Sequence, residues 1–271
     1  MSPDLVERYR SARRDPGLAV LEGLHALKHA LRFGADIRDA RTRDAAALLA
    51  LARDLAPDVA QRMATLAQPV DPDTFDELAP SPHPTGVIAL AARPAIDPTR
   101  VLGASGPAPV VLLERPTHHG NIGAVVRVAA AAGAAGVLVT GPHDPWHPAS
   151  IRGGAGLQFA LPVGSLEPVG SLGPDGLDML LGSRRPIVAM DPEGQPLQPP
   201  VPGAEPLVPP RAVLVFGSER TGVSDRLLMR SARRVSIPMR PGVSSLNLAT
   251  AVAVTLYLAA TGGEDPMESR P

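Results

Sequence analysis

The chain has no cysteine, which excludes disulfides, a thiolate nucleophile and any zinc site built on sulfur. Aromatic residues make up only 3% of its 271 positions, so Ala, Val and Leu must build the core. No apolar run reaches the roughly 20 residues that a membrane-spanning helix needs. The start, Met1-Ser-Pro-Asp-Leu-Val-Glu, lacks the basic and apolar regions of a signal peptide, and a cytoplasmic location with no membrane contact is expected. Lysine is almost missing as well: of 26 basic residues only Lys28 is one. A net charge of −1 supplies no general attraction for nucleic acid, so any such contact falls to a local face of arginines, which pair bidentately with phosphate and stack on bases.

What is present is the composition of a globular protein, 44% hydrophobic and 20% charged, long enough for two modest domains. The amino-terminal part reads as strand Leu18–Glu22, helix Gly23–Phe33 with Leu24, Leu27 and Leu31 on one face, and strand Ile37–Arg41. Helices at Ala45–Leu55 and Val59–Leu66 follow, then a short helix opened by Asp71 and Pro72, and strand Val87–Ala92. That order predicts a small α/β sandwich over residues 1–95, followed by a Pro/Gly-rich linker at 96–108 and a second domain at 109–271.

The second domain alternates strand and helix: Val110–Glu114, Asn121–Ala132, Val137–Thr140, a loop and helix around Trp146–Gln158, and a short extended Leu161–Val163. A helix ending near Leu177–Leu181 precedes strand Ile187–Met190, and eight prolines then mark 191–211 as a long surface loop. Strand Val213–Phe216, helix Ser224–Arg230, strand Val235–Ile237 and helix Ser245–Ala260 complete the pattern. The expected fold class is therefore α/β with a parallel sheet.

Two segments end strands in glycine-containing loops with polar tips. These are Val213-Leu-Val-Phe-Gly-Ser-Glu-Arg-Thr-Gly222 and Ile237-Pro-Met-Arg-Pro-Gly-Val-Ser-Ser-Leu-Asn247. Such loops form a ligand cleft at the carboxyl edge of a parallel sheet. Together with Asn121-Ile-Gly-Ala-Val-Val-Arg127-Val-Ala129, they resemble the three signature motifs of the SpoU family of RNA 2′-O-ribose methyltransferases, in the SPOUT class. Leu21-Glu22-Gly23-Leu24-His25 and His83-Pro84-Thr85-Gly86-Val87 resemble pieces of the L30e-like substrate-binding domain of many members.

The resemblance implies a deep trefoil knot whose walls bind S-adenosyl-L-methionine, a homodimer with its sites at the subunit interface, and methylation of a ribose 2′-hydroxyl in structured RNA. Ribosomal RNA is preferred and tRNA is the alternative. By the same resemblance, Gly217, Ile237, Leu246 and Thr140 hold the cofactor and Met239 packs on its adenine. Arg127 is the catalytic candidate, flanked by Asn121, Glu219, Asn247 and Ser245. A guanidinium is a poor base, so Arg127 is read as binding phosphate or stabilising a developing alkoxide. Glu219 would orient it or meet the substrate, and Ser245 and Asn247 have helix capping as a second reading. Arg127, Arg152 and His25 are the candidates for RNA contact.

One departure stands out: Gly154 occupies the position where the family often has serine, in Arg152-Gly-Gly-Ala-Gly156. That loss favours a knotted RNA-binding protein without catalysis, whereas intact Asn121, Arg127, Glu219 and Asn247 oppose it. The seven histidines fit no zinc spacing, and no metal is expected. No Gly-x-Gly-x-x-Gly follows the Val110 strand, which argues against a dinucleotide-binding oxidoreductase.

Overall fold

The computed structural model describes residues 3–81, 83–166, 174–201 and 203–260. The chain divides into two compact units, Met1–Ala95 with Asp144–Ala160, and Ile96–His143 with Leu161–Pro271. Residues 261–271, which the sequence assigns to the second domain, lie outside the described residues.

The first unit opens with α1 (Pro3–Ala12), β1 (Leu18–Glu22), α2 (Leu24–Arg32), β2 (Ile37–Thr42) and α3 (Ala45–Leu55). It continues with α4 (Ala60–Leu66), β3 (Gln68–Pro69), α5 (Pro72–Glu77) and β4 (Val87–Ala92). The strands run β1-β4-β2-β3, with β4 antiparallel to both β1 and β2. Local chemistry explains the boundaries that the sequence shows. Asp44 accepts from Ala46 N and Ala47 N to start α3, and Asp71 accepts from Thr74 N to start α5, with Pro72 pre-set for the first turn. The sequence reading missed α1. Its single aromatic anchor, Tyr9, is fully buried and donates to Asp39 Oδ2 at 2.8 Å.

The chain then runs through α6 (Pro98–Gly103), β5 (Val110–Leu113), α7 (His119–Ala131), β6 (Gly136–Val139) and α8 (Pro148–Gly153). After a short 3-10 turn at Leu157–Phe159 come β7 (Val163–Ser165), α9 (Pro174–Gly182), β8 (Ile187–Pro196) and β9 (Val213–Phe216). The described fold ends with α10 (Asp225–Leu228), β10 (Arg233–Ser236) and α11 (Leu248–Ala260). Helix α8 belongs to the first unit. The remaining strands of this stretch form one sheet of order β10-β8-β9-β5-β6-β7, parallel throughout. β5, β6 and β9 are buried at all four positions, as befits continuous apolar strands covered on both faces.

Three sequence expectations need correction. Residues 96–108 are not a free linker. Asp97 caps α6 by accepting from Thr99 N at 2.9 Å, and Val101 and Leu102 enter the core of the second unit. The loop expected at 191–211 begins later, because β8 continues to Pro196 alongside β10. β9 leaves β8 after Ala189, so beyond that point one side of β8 is an edge, where Pro192 and Pro196 withdraw no ladder donor. Helix α11 starts at Leu248 instead of Ser245, leaving Ser245, Leu246 and Asn247 in the loop before it.

Candidate active site

Four strands deliver the residues of the site. From β5 the chain runs toward β6 and β7, and it later returns on the opposite side through β8, β9 and β10. The loops after β5 and β9 therefore part at a switch point, where open α/β sheets bind ligands. A cavity of about 690 Å³ lies at the carboxyl ends of β9 and β10, against the middle of β8. Its walls are Met190–Glu193 within β8, Phe216–Val223 from the last residue of β9 onward, and Ile237, Met239 and Ser244–Leu246 after β10.

The β9 loop is a tight reversal. Ser218 and Gly222 exchange backbone hydrogen bonds of 3.1 and 2.9 Å, and the Ser218 hydroxyl lies 3.0 Å from that of Thr221. This reversal needs glycine at 217, because a β-carbon there would overlap the carbonyl carbon of Gly222. Gly217→Ala is accordingly expected to pry the loop open and weaken ligand binding at the cavity at least about tenfold, read by calorimetry.

The three sequence motifs meet in one hydrogen-bonded chain. Glu219 accepts from Thr117 N at 3.0 Å and Thr117 Oγ1 at 2.8 Å through one oxygen, and from Asn121 Nδ2 at 2.6 Å through the other. Asn121 Oδ1 in turn accepts from Asn247 Nδ2 at 3.1 Å, while Asn247 Oδ1 accepts from Ala249 N at 2.9 Å. Asn247 thus caps α11 and joins the network at once. Asn121 is the third residue of α7 and caps nothing, which frees its amide for these two partners. Partial burial alone would raise the Glu219 carboxyl, but the hydrogen bonds from Asn121 and Thr117 outweigh it and hold the group below the usual carboxylate range. Glu219 is thus an anion with both oxygens engaged, suited to orienting Asn121 and unsuited to taking a proton.

Gly217, Ile237, Met239, Leu246, Ser245 and Glu219 all line the cavity. Thr140 does not. It is fully buried at the end of β6, where its hydroxyl accepts from Arg115 N at 3.2 Å. Arg127 sits on the exposed face of α7 and makes no side-chain hydrogen bond or ion pair with the described residues, so Glu219 orients Asn121 and not Arg127. His25 and Arg152 belong to the first unit. Arg152 donates to Glu22 Oε2 at 2.8 Å and Arg13 to Glu22 Oε1 at 2.8 Å, a buried carboxylate clasped by two arginines. Among the described residues no cluster of His, Asp and Glu could hold a metal. Thr117 escaped the sequence reading; its one signal is its place four residues before Asn121, within reach of any group that Asn121 meets.

The sequence profile of the SpoU rRNA Methylase family matches residues 108–257, the stretch that holds the cavity and the whole network. The chain belongs to the SpoU rRNA Methylase family. A 23S rRNA (uridine(2479)-2′-O)-methyltransferase of Streptomyces viridochromogenes is 30% identical over 258 residues, covering 92% of this chain and 84% of that protein. An uncharacterized tRNA/rRNA methyltransferase of Synechocystis is 29% identical and covers 90% of this chain and 84% of that one. Among solved structures, the SpoU methyltransferase AviRb of Streptomyces viridochromogenes in complex with AdoMet aligns with a TM-score of 0.71 at 28% identity, over 94% of this chain and 96% of that one. A SpoU relative is therefore similar across both units, and not only across the matched profile.

Proposed function

We propose that this SpoU protein transfers a methyl group from S-adenosyl-L-methionine to a ribose 2′-hydroxyl of structured RNA, with 23S ribosomal RNA as its substrate. The observation that carries this reading is the cavity walled by backbone loops and bordered by the Thr117–Glu219–Asn121–Asn247 network. The fit to the cofactor rests on chemistry present in the site. Glycines at 217 and 222 let main-chain groups approach a ligand, Met239 and Leu246 offer apolar surface for a base, and the Asp225 carboxylate suits a cationic ligand, Asp191 being paired with Arg234.

The cofactor would supply an electrophilic methyl group bound to a sulfonium. Asn121, fixed by Glu219 on one side and Asn247 on the other, presents a set amide at the cavity border, and fixed polar groups lower a barrier because they need no reorganisation. Arg127 would stabilise the oxygen as its proton passes to water. Its lack of partners among the described residues supports the reading that it serves the site of a second copy in a homodimer. A trefoil knot, with α11 threaded behind the β9 and β10 loops that wall the cavity, belongs to the same proposal. So do RNA contacts by Arg152 and His25 and a cytoplasmic location; no helix of the described residues is long and apolar enough to cross a membrane.

The test is calorimetry with S-adenosylmethionine and S-adenosylhomocysteine, then transfer of labelled methyl to 23S rRNA and to tRNA. Leu246 is 39% exposed at the cavity rim, so Leu246→Arg should fill the entrance and abolish binding without unfolding the protein. Wild-type protein that binds neither ligand at millimolar concentration would sink the enzyme reading, leaving a knotted RNA-binding protein. Methylation of tRNA alone would overturn the substrate.

A further inference from the structure

Beside the network, on the β6 side of the same sheet edge, the second unit holds two polar atoms that no described residue satisfies. Arg115 Nε and His143 Nδ1 are buried and have no hydrogen-bond partner among the described residues. Buried polar groups are nearly always paired, so two orphans on adjacent loops call for an explanation.

The loops are tied together. Arg115 N donates to Thr140 Oγ1, and a β-carbon on Gly141 would lie 3.2–3.5 Å from Cα, Cγ and Cβ of Arg115, so the arginine side chain lies across Gly141, two residues from His143. The His143 ring meets His119 edge-on, with centroids 4.7 Å apart. Arg115 is also held at φ 51°, in the left-handed region that costs a non-glycine residue free energy and that clusters at functional sites. A strained arginine with an idle N–H, on a loop packed against the one that carries an idle imidazole nitrogen, costs stability and returns nothing to the fold.

The geometry points to Arg115 and His143 as a binding site for a backbone phosphate of the substrate RNA, seated beside the catalytic network. This rests on the proposed function for the identity of its ligand. Arg115 is two residues from Thr117, which bonds Glu219 on the cavity wall, so a phosphate held here would fix the strand next to the ribose that Asn121 and Asn247 face. Arginine is the natural choice for this, since its planar fork meets phosphate oxygens with two N–H groups at once.

The experiment measures binding of in vitro transcribed 23S rRNA by wild type, Arg115→Asn and His143→Ala over a range of salt, with melting temperature and cofactor affinity measured alongside. Asn tolerates the left-handed backbone and removes the guanidinium with two methylenes of its stem. Arg115→Asn should weaken RNA binding about tenfold and reduce the slope of log affinity against log salt by about 0.7–0.9, the signature of one lost phosphate contact. His143→Ala should weaken it a few-fold in the same direction. Cofactor affinity should be unchanged, and the melting temperature of Arg115→Asn equal to wild type or higher, because an orphaned donor and a strained residue are gone.

Unchanged RNA affinity and slope in Arg115→Asn overturn the site even if wild type methylates RNA. A lower melting temperature with weakened cofactor binding overturns it too, by assigning Arg115 a structural role. If wild type transfers no methyl group yet Arg115→Asn still loses affinity and slope, the phosphate site stands and the enzyme reading alone falls. Wild type that binds no RNA overturns both.

Discussion

Asn121→Asp should lower the rate of methyl transfer at neutral pH by about two to three orders of magnitude, the range seen when one fixed polar group at a reacting centre is spoiled. The substitution keeps shape and size but turns the Asn121 amide, which donates to Glu219 Oε1 at 2.6 Å, into a second carboxylate. Glu219 is held below the usual carboxylate range by its hydrogen bonds despite partial burial, so it arrives ionised, and two carboxylates at hydrogen-bond distance cannot both stay charged. Either the aspartate swings away, breaking the link to Asn247, or the pair takes up a proton. The proton is bound only at low pH, so the rate of Asn121→Asp should recover as the solution is made acidic, the reverse of the simple loss expected from protonating Glu219 in wild type. Asn121→Ala removes the amide without adding charge and should lose rate with no acid recovery. Initial rates across the acid and neutral range decide it; Asn121→Asp working at the wild-type rate near neutrality would show that the network is structural only.

Much of this site can be read from the chain, for a specific reason. Gly217, Glu219 and Asn247 are constrained by local rules: a strand that stops at a glycine, a polar residue at the tip of a turn, a helix that needs a cap; Asn121, which caps nothing, is legible only through the resemblance of its motif. Those rules operate over a few residues and leave a mark in sequence. Strand and helix positions in the second unit follow from the same short-range patterning, since β5, β6 and β9 are buried at every position and read as unbroken apolar runs.

What escaped depends on long-range neighbours. Thr140, expected to end a strand, follows β6, which stops at Val139, and the turn that points it toward Arg115 and away from the cavity is set by tertiary packing. The extension of β8 through Pro192 and Pro196 was hidden because proline usually ends a strand, and only the absence of β9 alongside makes it harmless. The sequence offers Arg152 for RNA contact, and Glu22, 130 residues away, already claims one of its nitrogens. Helix α6 was hidden for a related reason: a short Pro/Gly-rich stretch has little helical pattern, and the core that covers Val101 and Leu102 comes from strands far along the chain.

The same logic makes Arg185 the most consequential residue that sequence leaves silent. In Ser183-Arg-Arg-Pro186 it looks like one more surface arginine, yet only 4% of it is exposed. Its Nε donates to Leu102 O at 2.7 Å, one terminal nitrogen to Ala108 O at 2.9 Å and Arg211 O at 3.2 Å, and the other to Ala104 O at 2.7 Å. None of these partners is a carboxylate. Burial, with Arg211 nearby, pushes its pKa down, so the charge is tolerated and not welcomed; the carbonyls compensate it. The guanidinium thereby pins the end of α6, the 104–108 turn that leads into β5, and Arg211 just before β9, the two strands that flank the switch point.

Arg185→Leu strips Leu102 O, Ala108 O and Arg211 O of this donor at once and leaves Ala104 O only the Arg211 guanidinium at 3.1 Å; hydrogen bonds to a charged group are worth about 1.5–3 kcal/mol each but do not add fully. A net loss of about 3–5 kcal/mol follows, or roughly 6–20 °C in melting temperature for a chain of this size. Arg185→Lys should recover less than half of it, since one ammonium cannot span carbonyls that a planar fork reaches on three sides. Because no ion pair is involved, high salt should leave the deficit in place, unlike that of a surface salt bridge. Calorimetric melting of the three proteins in low and high salt tests this, and Arg185→Leu melting within about 2 °C of wild type would mean that water replaces the guanidinium without cost.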